Sequence, residues 1–412
     1  MNGLSRKIYL ELPLPTEDDP RSDQQRILDS LAAAGVEERV HIPVHILRKL
    51  YPLLDNAKWK ITVSLAWNGE NWEMLEIEEG DTTAQHYGLA VDLGSTTVVA
   101  RLLDCNSGEI LKEVSCFNKQ IQWGTDILSR IFYCKDNREK LEEVRRATVE
   151  SICECMDKLD ASLEMQGTPS EQKTENNGVS ESCDDRGAKN AAQKARSISR
   201  SALSMVIAGN TTMIHFLLGM DAFCVFYTPH AVHADCPGFQ LARDLDIPLK
   251  GYVYCYPAKS NYLGGDIISG MIDTELYKKN EISVFFDIGT NGELVIGNKE
   301  FLLCGAGAAG PALEGGVVRT GMRADVGAVD EVKIREGNIF VHVIGKQAEC
   351  FEVMHGERKN QKNITDSVQS NTEKMTNLLS EDVSDEKCKD SNGKRETPPQ
   401  GICGSGSIDL IA

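Results

Sequence analysis

One short pattern of residues occurs twice in the chain. Residues 89–101 and 284–296 each contain an apolar run that ends at an aspartate, a turn of glycine with hydroxyl or amide residues, and a second apolar run. The two aspartates are Asp92 and Asp287. A glycine lets backbone amides approach phosphate oxygens, Ser and Thr add donors, and a carboxylate holds Mg²⁺ through the waters of the ion. The pattern therefore predicts two phosphate-binding hairpins.

The pattern indicates a candidate role in nucleotide binding for each residue of the two turns and for the acidic residues beside them. Asp92 and Asp287 are the candidates for organising Mg²⁺ and a nucleotide, and the alternative for each is an aspartate that only caps a tight turn. Glu293 is a candidate for orienting a water molecule, or else it faces solvent on the returning strand. The candidates for contact with phosphate are Gly94, Ser95, Thr96 and Thr97 in the first turn, and Gly289, Thr290 and Asn291 in the second.

Two further glycine-containing segments fit the same kind of site. Residues 401–409 form a turn of small residues before an apolar run, and its members Gly404, Ser405 and Gly406 would not crowd an adenosine. Residues 264–266 open a predicted helix with two glycines and Asp266, which suits close helix packing and an acidic group near a cleft. A lone Gly-x-Gly is a weak signal, but the order of these elements along the chain is specific.

The rest of the chain must position these turns. Residues 1–84 have the periodicities of a small α+β domain. In residues 87–412, short apolar runs alternate with glycine turns and helices, and the repeated hairpin predicts two similar α/β lobes that face a nucleotide cleft. Residues 166–200 and 356–400 contain too few apolar groups for a core, so they are predicted to be polar insertions.

The charge of the chain narrows the range of its partners. With 62 Asp and Glu against 44 Lys and Arg, the net charge is −18, and a surface this negative repels nucleic acid and anionic lipid. No apolar run approaches the roughly 20 residues that a membrane helix needs, and the first residues do not form a secretory signal. The sequence predicts a cytoplasmic protein that binds neither nucleic acid nor a membrane.

The thirteen cysteines contain no local metal-binding motif. No C-x-x-C pair occurs, which excludes sequence-local zinc ribbons and the tight cysteine run of plant-type ferredoxins. No cysteine precedes Cys105. The sequence therefore contains no recognisable set of ligands for an iron–sulfur cluster.

The hairpins, residues 264–266 and residues 401–409 resemble the phosphate, connecting and adenosine motifs of one superfamily, that of acetate and sugar kinases, heat-shock chaperones and actin. Within it, the chain is most similar to the reductive activators of corrinoid proteins. This similarity rests on residues 90–97, 208–213, 262–266, 286–293 and 305–315. It covers roughly residues 87–412, and residues 1–84 are similar to the module that precedes the ATPase domain in that family. The resemblance implies duplicated actin-like and sugar-kinase-like ATPase lobes.

The resemblance also implies a function, cofactors and partners. ATP and Mg²⁺ would bind at the hairpins, with Mg²⁺ held by Asp92 and Asp287 through water. The nucleotide would change the angle between the lobes and so support reduction of a partner's corrinoid from Co(II) to Co(I). That partner would be a corrinoid protein or a cobalamin-dependent methyltransferase. Whether the chain forms a homodimer is left open.

Two features depart from the pattern of that family. The family usually begins with a [2Fe–2S] ferredoxin domain, and it continues beyond the helix in which this sequence ends at Ala412. We therefore expect a truncated or split chain, and we expect its electrons to come from a separate ferredoxin-type donor.

Three other functions are compatible with the sequence. A small-molecule kinase of the same superfamily would need an aspartate base beside an acceptor hydroxyl, and no aspartate stands out in that context. An iron–sulfur activator of the dehydratase type would need cluster thiolates, for which Cys304 and Cys236 are the candidates. The third alternative is a remnant without enzymatic activity.

Overall fold

The computed structural model divides into two compact units, Met1–Thr274 and Glu275–Ala412. It describes residues 3–124, 126–166, 197–260, 263–288, 292–307, 326–335, 338–344, 351–352 and 401–402. Most of both predicted polar insertions lies outside the described residues. So do six of the predicted phosphate and adenosine contacts, namely Gly289, Thr290, Asn291, Gly404, Ser405 and Gly406.

Residues 1–84 contain a four-stranded sheet with helices packed against it. The elements are β1 (Ser5–Glu11), α1 (Asp23–Ala33), β2 (Val40–His41), α2 (Val44–Leu47), α3 (Leu50–Asn56), β3 (Lys60–Trp67) and β4 (Trp72–Glu79). The strand order is β1-β3-β4-β2, with β2 parallel to β4 and the other pairs antiparallel. Ile27 and Leu31 lie one turn apart on α1 and are buried in the core of this sheet. The helical spacing of its apolar residues therefore decides which face of α1 packs.

A six-stranded sheet follows in the same compact unit. Its strands are β5 (Tyr87–Leu93), β6 (Thr97–Asp104), β7 (Ile110–Phe117), β8 (Ser204–Gly209), β9 (Gly238–Leu241) and β10 (Tyr252–Cys255). The helices around it are α4 (Ile127–Cys134), α5 (Arg138–Gln166), α6 (Ile198–Ser201), α7 (Thr211–Leu217) and α8 (Gly265–Thr274). The strand order is β7-β6-β5-β8-β10-β9, in which β5, β8 and β10 are parallel. The carboxyl ends of these three strands therefore lie at one edge of the sheet.

The core of this sheet lies between its strands and the long helix α5. Val144, Ile152 and Leu159 of α5 are fully buried, as are Val98 and Ala100 of β6. Because successive side chains of a strand alternate between faces, every second residue of β5 and β6 enters this core. The residues between them point to the other face of the sheet. Asp92, near the end of β5, is one of these residues.

The second compact unit repeats the three-stranded meander β5-β6-β7. Its first sheet consists of β11 (Ser283–Ile288), β12 (Gly292–Gly297) and β13 (Leu302–Gly307), paired in that order and antiparallel. A second sheet contains β14 (Ala328–Arg335), β15 (Asn338–Val343), β16 (Phe351–Glu352) and β17 (Gly401–Ile402), in the order β16-β15-β14-β17. The duplicated hairpin predicted from the sequence is therefore present in the fold.

At their carboxyl ends, β5 and β8 lie closer than side chains would permit. A Cβ atom on Gly209 would lie 2.7 Å from the carbonyl oxygen of Leu93, and one on Gly264 would lie 2.5 Å from the carbonyl oxygen of Gly209. The added atom on Gly264 would also overlap the Cα atom of Asn210. These distances are shorter than van der Waals contact, so both positions require glycine.

We expect Gly209→Ala to lower the free energy of unfolding of the first compact unit by about 1–3 kcal/mol, because the methyl group must displace backbone rather than a flexible side chain. Urea denaturation measures this change. Gly305→Ala is the matched control, since nothing lies within 4 Å of the added atom, and it should change stability by about 0.5 kcal/mol or less. Equal effects of the two substitutions would contradict the proposed close contact.

Candidate nucleotide site

The first predicted carboxylate lies near the middle of the six-stranded sheet. Asp92 is the next-to-last residue of β5 and is in register with Val99 of β6 and Ala208 of β8. Its side chain is exposed, whereas the neighbouring Leu93 is fully buried. In open α/β sheets, ligands bind outside the carboxyl ends of the parallel strands. Asp92 lies at that edge.

The first phosphate turn is held from the inside by hydrogen bonds to its carbonyl groups. Asn118 Nδ2 donates to the carbonyl oxygen of Gly94 at 2.9 Å, and the backbone N–H of Asn118 donates to that of Thr96 at 2.8 Å. Arg130 Nη1 donates to the carbonyl oxygen of Ser95 at 2.6 Å. The N–H and C=O of a trans peptide point in opposite directions, so the amides of these three peptide bonds are directed away from Asn118 and Arg130. Backbone amides that converge on one point bind anions, and the amides of this turn are the candidates for that role.

The predicted connecting segment reaches the same edge of the sheet. Asn210 follows β8 and caps α7, since its Oδ1 accepts a hydrogen bond from the N–H of Met213 at 3.0 Å. Gly264 packs directly against Asn210. Asp266 then begins the first turn of α8, where its Oδ1 accepts the N–H of Ile267 at 2.8 Å. The fold thus brings Asp266 to the strand ends at which Asp92 also lies.

The second predicted carboxylate belongs to the other compact unit. Asp287 of β11 and Glu293 of β12 are direct partners in the antiparallel register, so both side chains project from the same face of the hairpin. Burial raises the pKa of Asp287 above its ordinary value. Two carboxylates directly opposite each other repel, and a divalent cation between or beside them would remove that repulsion.

Four of the nine described cysteines are buried, namely Cys116, Cys134, Cys155 and Cys255. In the parts of the chain that the structure describes, no group of three His, Cys, Asp or Glu side chains could hold a metal ion. The thiols of Cys116 and Cys155 lie 3.3 Å apart in the core, where burial raises the pKa of Cys155 to about 12. Cys236 and Cys304 are both exposed and belong to different compact units.

Matches of the sequence to three models of protein-family domains identify the family. Residues 1–84 match the RACo linker region, residues 87–172 and 170–279 match the RACo middle region, and residues 281–412 match the C-terminal domain of RACo, the ASKHA domain. The chain belongs to the RACo family. The predicted family and the predicted actin-like fold class are thereby confirmed.

Individual relatives agree with this assignment. The chain is 30% identical over 266 residues to the corrinoid activation enzyme RamQ of Eubacterium limosum, a match that covers 64% of this chain and 39% of RamQ. It is 35% identical over 77 residues to the [Co(II) methylated amine-specific corrinoid protein] reductase of Methanosarcina barkeri, covering 19% and 14% of the two chains. A solved structure, a reductive activator for a corrinoid, iron–sulfur protein, matches with a TM-score of 0.69 and 30% identity.

The solved structure matches 99% of this RACo-family chain, but this chain covers only 52% of that structure. The chain therefore spans about half the length, or less, of the relatives that it matches. No helix among the described residues is long and apolar enough to cross a membrane.

The sequence did not reveal the residues that support the first turn of this RACo-family chain. Asn118, Gln120 and Arg130 are all fully buried, although their residue types are usually exposed. The only local signal is the position of Asn118 and Gln120 directly after β7, the last strand of the repeated meander. Arg130 lies on α4 and carries no signal of its own.

The raised pKa of Asp287 has a consequence for stability. A carboxyl group whose pKa is higher in the folded state binds more protons there, so its ionisation destabilises the fold as pH rises above the ordinary value of 3.8. We expect Asp287→Asn to increase the free energy of unfolding at neutral pH, with the gain shrinking as pH falls towards that value. Urea denaturation at several pH values measures this, with the exposed Glu281→Gln as control. A gain that is independent of pH would contradict the burial of a charged carboxylate.

Proposed function

We propose that this chain is the ATP-binding part of a reductive activator of a corrinoid protein, with residues 87–412 acting as one ATPase domain. The observation that carries the proposal is the first phosphate turn, in which three successive carbonyls are bound from the inside and Asp92 stands at the strand end. The names of two relatives indicate the target, because one is a corrinoid activation enzyme and the other is a reductase of a Co(II) corrinoid protein.

Each of the two hairpins carries carboxylates of the kind that bind magnesium. Asp92, Asp287 and Glu293 are hard oxygen ligands, and Mg²⁺ prefers one or two carboxylates together with water and phosphate oxygens. When bound, Mg²⁺ would neutralise phosphate charge and polarise the terminal phosphate. The residues of this chain supply the complementary part: the turn amides bind phosphate oxygens, Asp92 and Asp287 hold waters of the ion, and Glu293 orients a water molecule.

ATP would act through its differential affinity for two arrangements of the protein. A ligand shifts a conformational equilibrium only by the difference between its affinities for the two states. The reduction of Co(II) to Co(I) would take place on the corrinoid of the partner, a corrinoid protein or a cobalamin-dependent methyltransferase. This chain would contribute nucleotide binding and the change in conformation that follows from it.

The electron would come from a separate ferredoxin-type donor. Cys155 and Cys255 are buried, and burial raises the pKa of each thiol to about 12. Protonated thiols are poor metal ligands, since a thiolate is the form that binds. Cys236 and Cys304 are exposed, and an iron–sulfur cluster shared between two copies of the chain is the alternative that iron and sulfide analysis would reveal.

The nucleotide proposal is tested with two isosteric substitutions. We expect Asp92→Asn and Asp287→Asn each to weaken Mg²⁺-ATP binding by about tenfold or more, because the amide keeps the shape but not the charge that holds the ion. Isothermal titration calorimetry measures the affinity. Asp104→Asn is the control, since Asp104 ends β6 at the opposite end of the same hairpin. ATP affinity that stays unchanged in both variants would refute the proposed role of the hairpins.

The electron proposal is tested with a corrinoid protein under anaerobic conditions. With ATP and a chemical reductant, we expect the purified chain to leave the Co(II) absorption spectrum unchanged relative to reductant without protein. Addition of a ferredoxin-type protein should then cause loss of the Co(II) spectrum. Reduction by the iron-free chain alone would show that no separate donor is needed.

A further inference from the structure

Arg130 lies directly behind the first phosphate turn. It is fully buried, and its Nη1 donates to the carbonyl oxygen of Ser95 at 2.6 Å and to Gln120 Oε1 at 3.1 Å. Its Nε donates to the carbonyl oxygen of Gly124 at 3.0 Å. A fourth acceptor is Met213 Sδ, at 4.0 Å from Nη1, and none of the four is charged. Among the described residues, Nη2 has no hydrogen-bond partner.

The positive charge of Arg130 is therefore not neutralised by an ion pair within the described residues. Desolvation lowers the pKa of Arg130 to about 10, and Asp126 opposes this effect only in part. Even so, the guanidinium remains charged at neutral pH. Arg26 provides a comparison within the same chain. It is as buried as Arg130, but it forms an ion pair with Asp19 at 2.5 Å. Buried charges are normally paired, so Arg130 departs from the usual arrangement and Arg26 follows it.

The contact with Ser95 connects this charge to the backbone of the turn. Arg130 binds the carbonyl end of the peptide bond between Ser95 and Thr96, and the amide of the same peptide points the opposite way. A cation at the carbonyl oxygen polarises the peptide and strengthens its N–H as a donor. An anion at that amide would interact favourably with the peptide dipole and with the charge behind it.

We propose that Arg130 is a positioning residue for phosphate, which fixes the Ser95–Thr96 peptide and supplies a buried positive charge that the phosphates of the nucleotide neutralise. This inference rests on the proposed binding of ATP. Under this proposal, the affinity for ATP depends on the positive charge of Arg130, although Arg130 does not contact the nucleotide. A purely structural arginine would need only its hydrogen bonds to the turn.

The variant Gln120→Glu tests the charge of Arg130 separately from the hydrogen bonds that Arg130 makes to the turn. One oxygen of the new carboxylate would occupy the place of Gln120 Oε1, keep the contact with Arg130 and neutralise it. The other would replace the Nε2 group that donates to Thr148 Oγ1, so the Thr148 hydroxyl must turn from the Val144 carbonyl to donate to it, a loss that the new ion pair offsets. We expect this variant to bind Mg²⁺-ATP about tenfold more weakly, to bind adenosine as the parent chain does, and to unfold at the same temperature or a higher one. A merely structural Arg130 predicts unchanged ATP affinity in this variant.

Two substitutions of Arg130 complete the test by calorimetry. Arg130→Met should lose about tenfold to a hundredfold in Mg²⁺-ATP affinity, and Arg130→Lys should lose less because it keeps the charge. Arg26→Met removes the paired buried arginine and is the control for general destabilisation, so it should bind ATP as the parent does. If Arg130→Met fails to fold, Gln120→Glu still decides.

The outcomes distinguish this inference from the proposed function. If the parent chain binds ATP and Gln120→Glu binds it equally well, Arg130 is only structural and the inference is wrong. An equal loss of adenosine and ATP affinity in Gln120→Glu would also overturn it. If the parent chain binds neither ATP nor adenosine, the proposed function fails and this inference fails with it.

Discussion

The backbones of β5 and β8 touch at the edge where Asp92 lies, and this contact limits what the neighbouring residues can be. Gly209 leaves room for the carbonyl of Leu93, and Gly264 leaves room for the chain as it passes Asn210. A side chain at either glycine would separate the strand end from the segment that begins α8. Asp92 and Asp266 therefore reach one edge only because two residues between them lack side chains. The same two positions satisfy a packing requirement and bring the two carboxylates to one edge of the sheet.

Beneath that edge, the support is polar rather than apolar. Gln120 Nε2 donates to the hydroxyl oxygen of Thr148 of α5 at 2.5 Å, and the backbone N–H of Lys119 donates to that of Ser151 at 2.9 Å. Both hydroxyls also donate to carbonyls one turn earlier in the helix. A buried polar group without a partner is costly, so a satisfied network has few alternative arrangements. The helix that covers the core thus also fixes the segment that supports the turn at residues 94–97.

The sequence predicts the hairpins because their signal is local and repeated. Asp92 and Asp287 each follow an apolar run and precede a glycine turn, and alternation within a strand decides which side chains enter the core. Arg130 is different, because it contacts Ser95 across 35 residues of sequence. An arginine on a short amphipathic helix is normally exposed, and only the fold shows that it is buried. The two-residue strand Val40–His41 is likewise too short to carry a periodic signal.

Residues 1–84 contact β10, which ends at the same edge of the sheet as β5. Tyr252 at the start of β10 donates to Glu73 at 2.7 Å, and Leu75 packs with Leu203 beside it. At the other end of β10, Tyr256 packs against Gly265 of α8. An extended strand of 4 residues is stiff along its axis, and β10 is also hydrogen-bonded to β8. A shift of α8 that keeps the contact between Tyr256 and Gly265 would therefore either break the β8–β10 pairing or move residues 1–84 as well. Through that contact, residues 1–84 would take part in a conformational change that starts at Asp266.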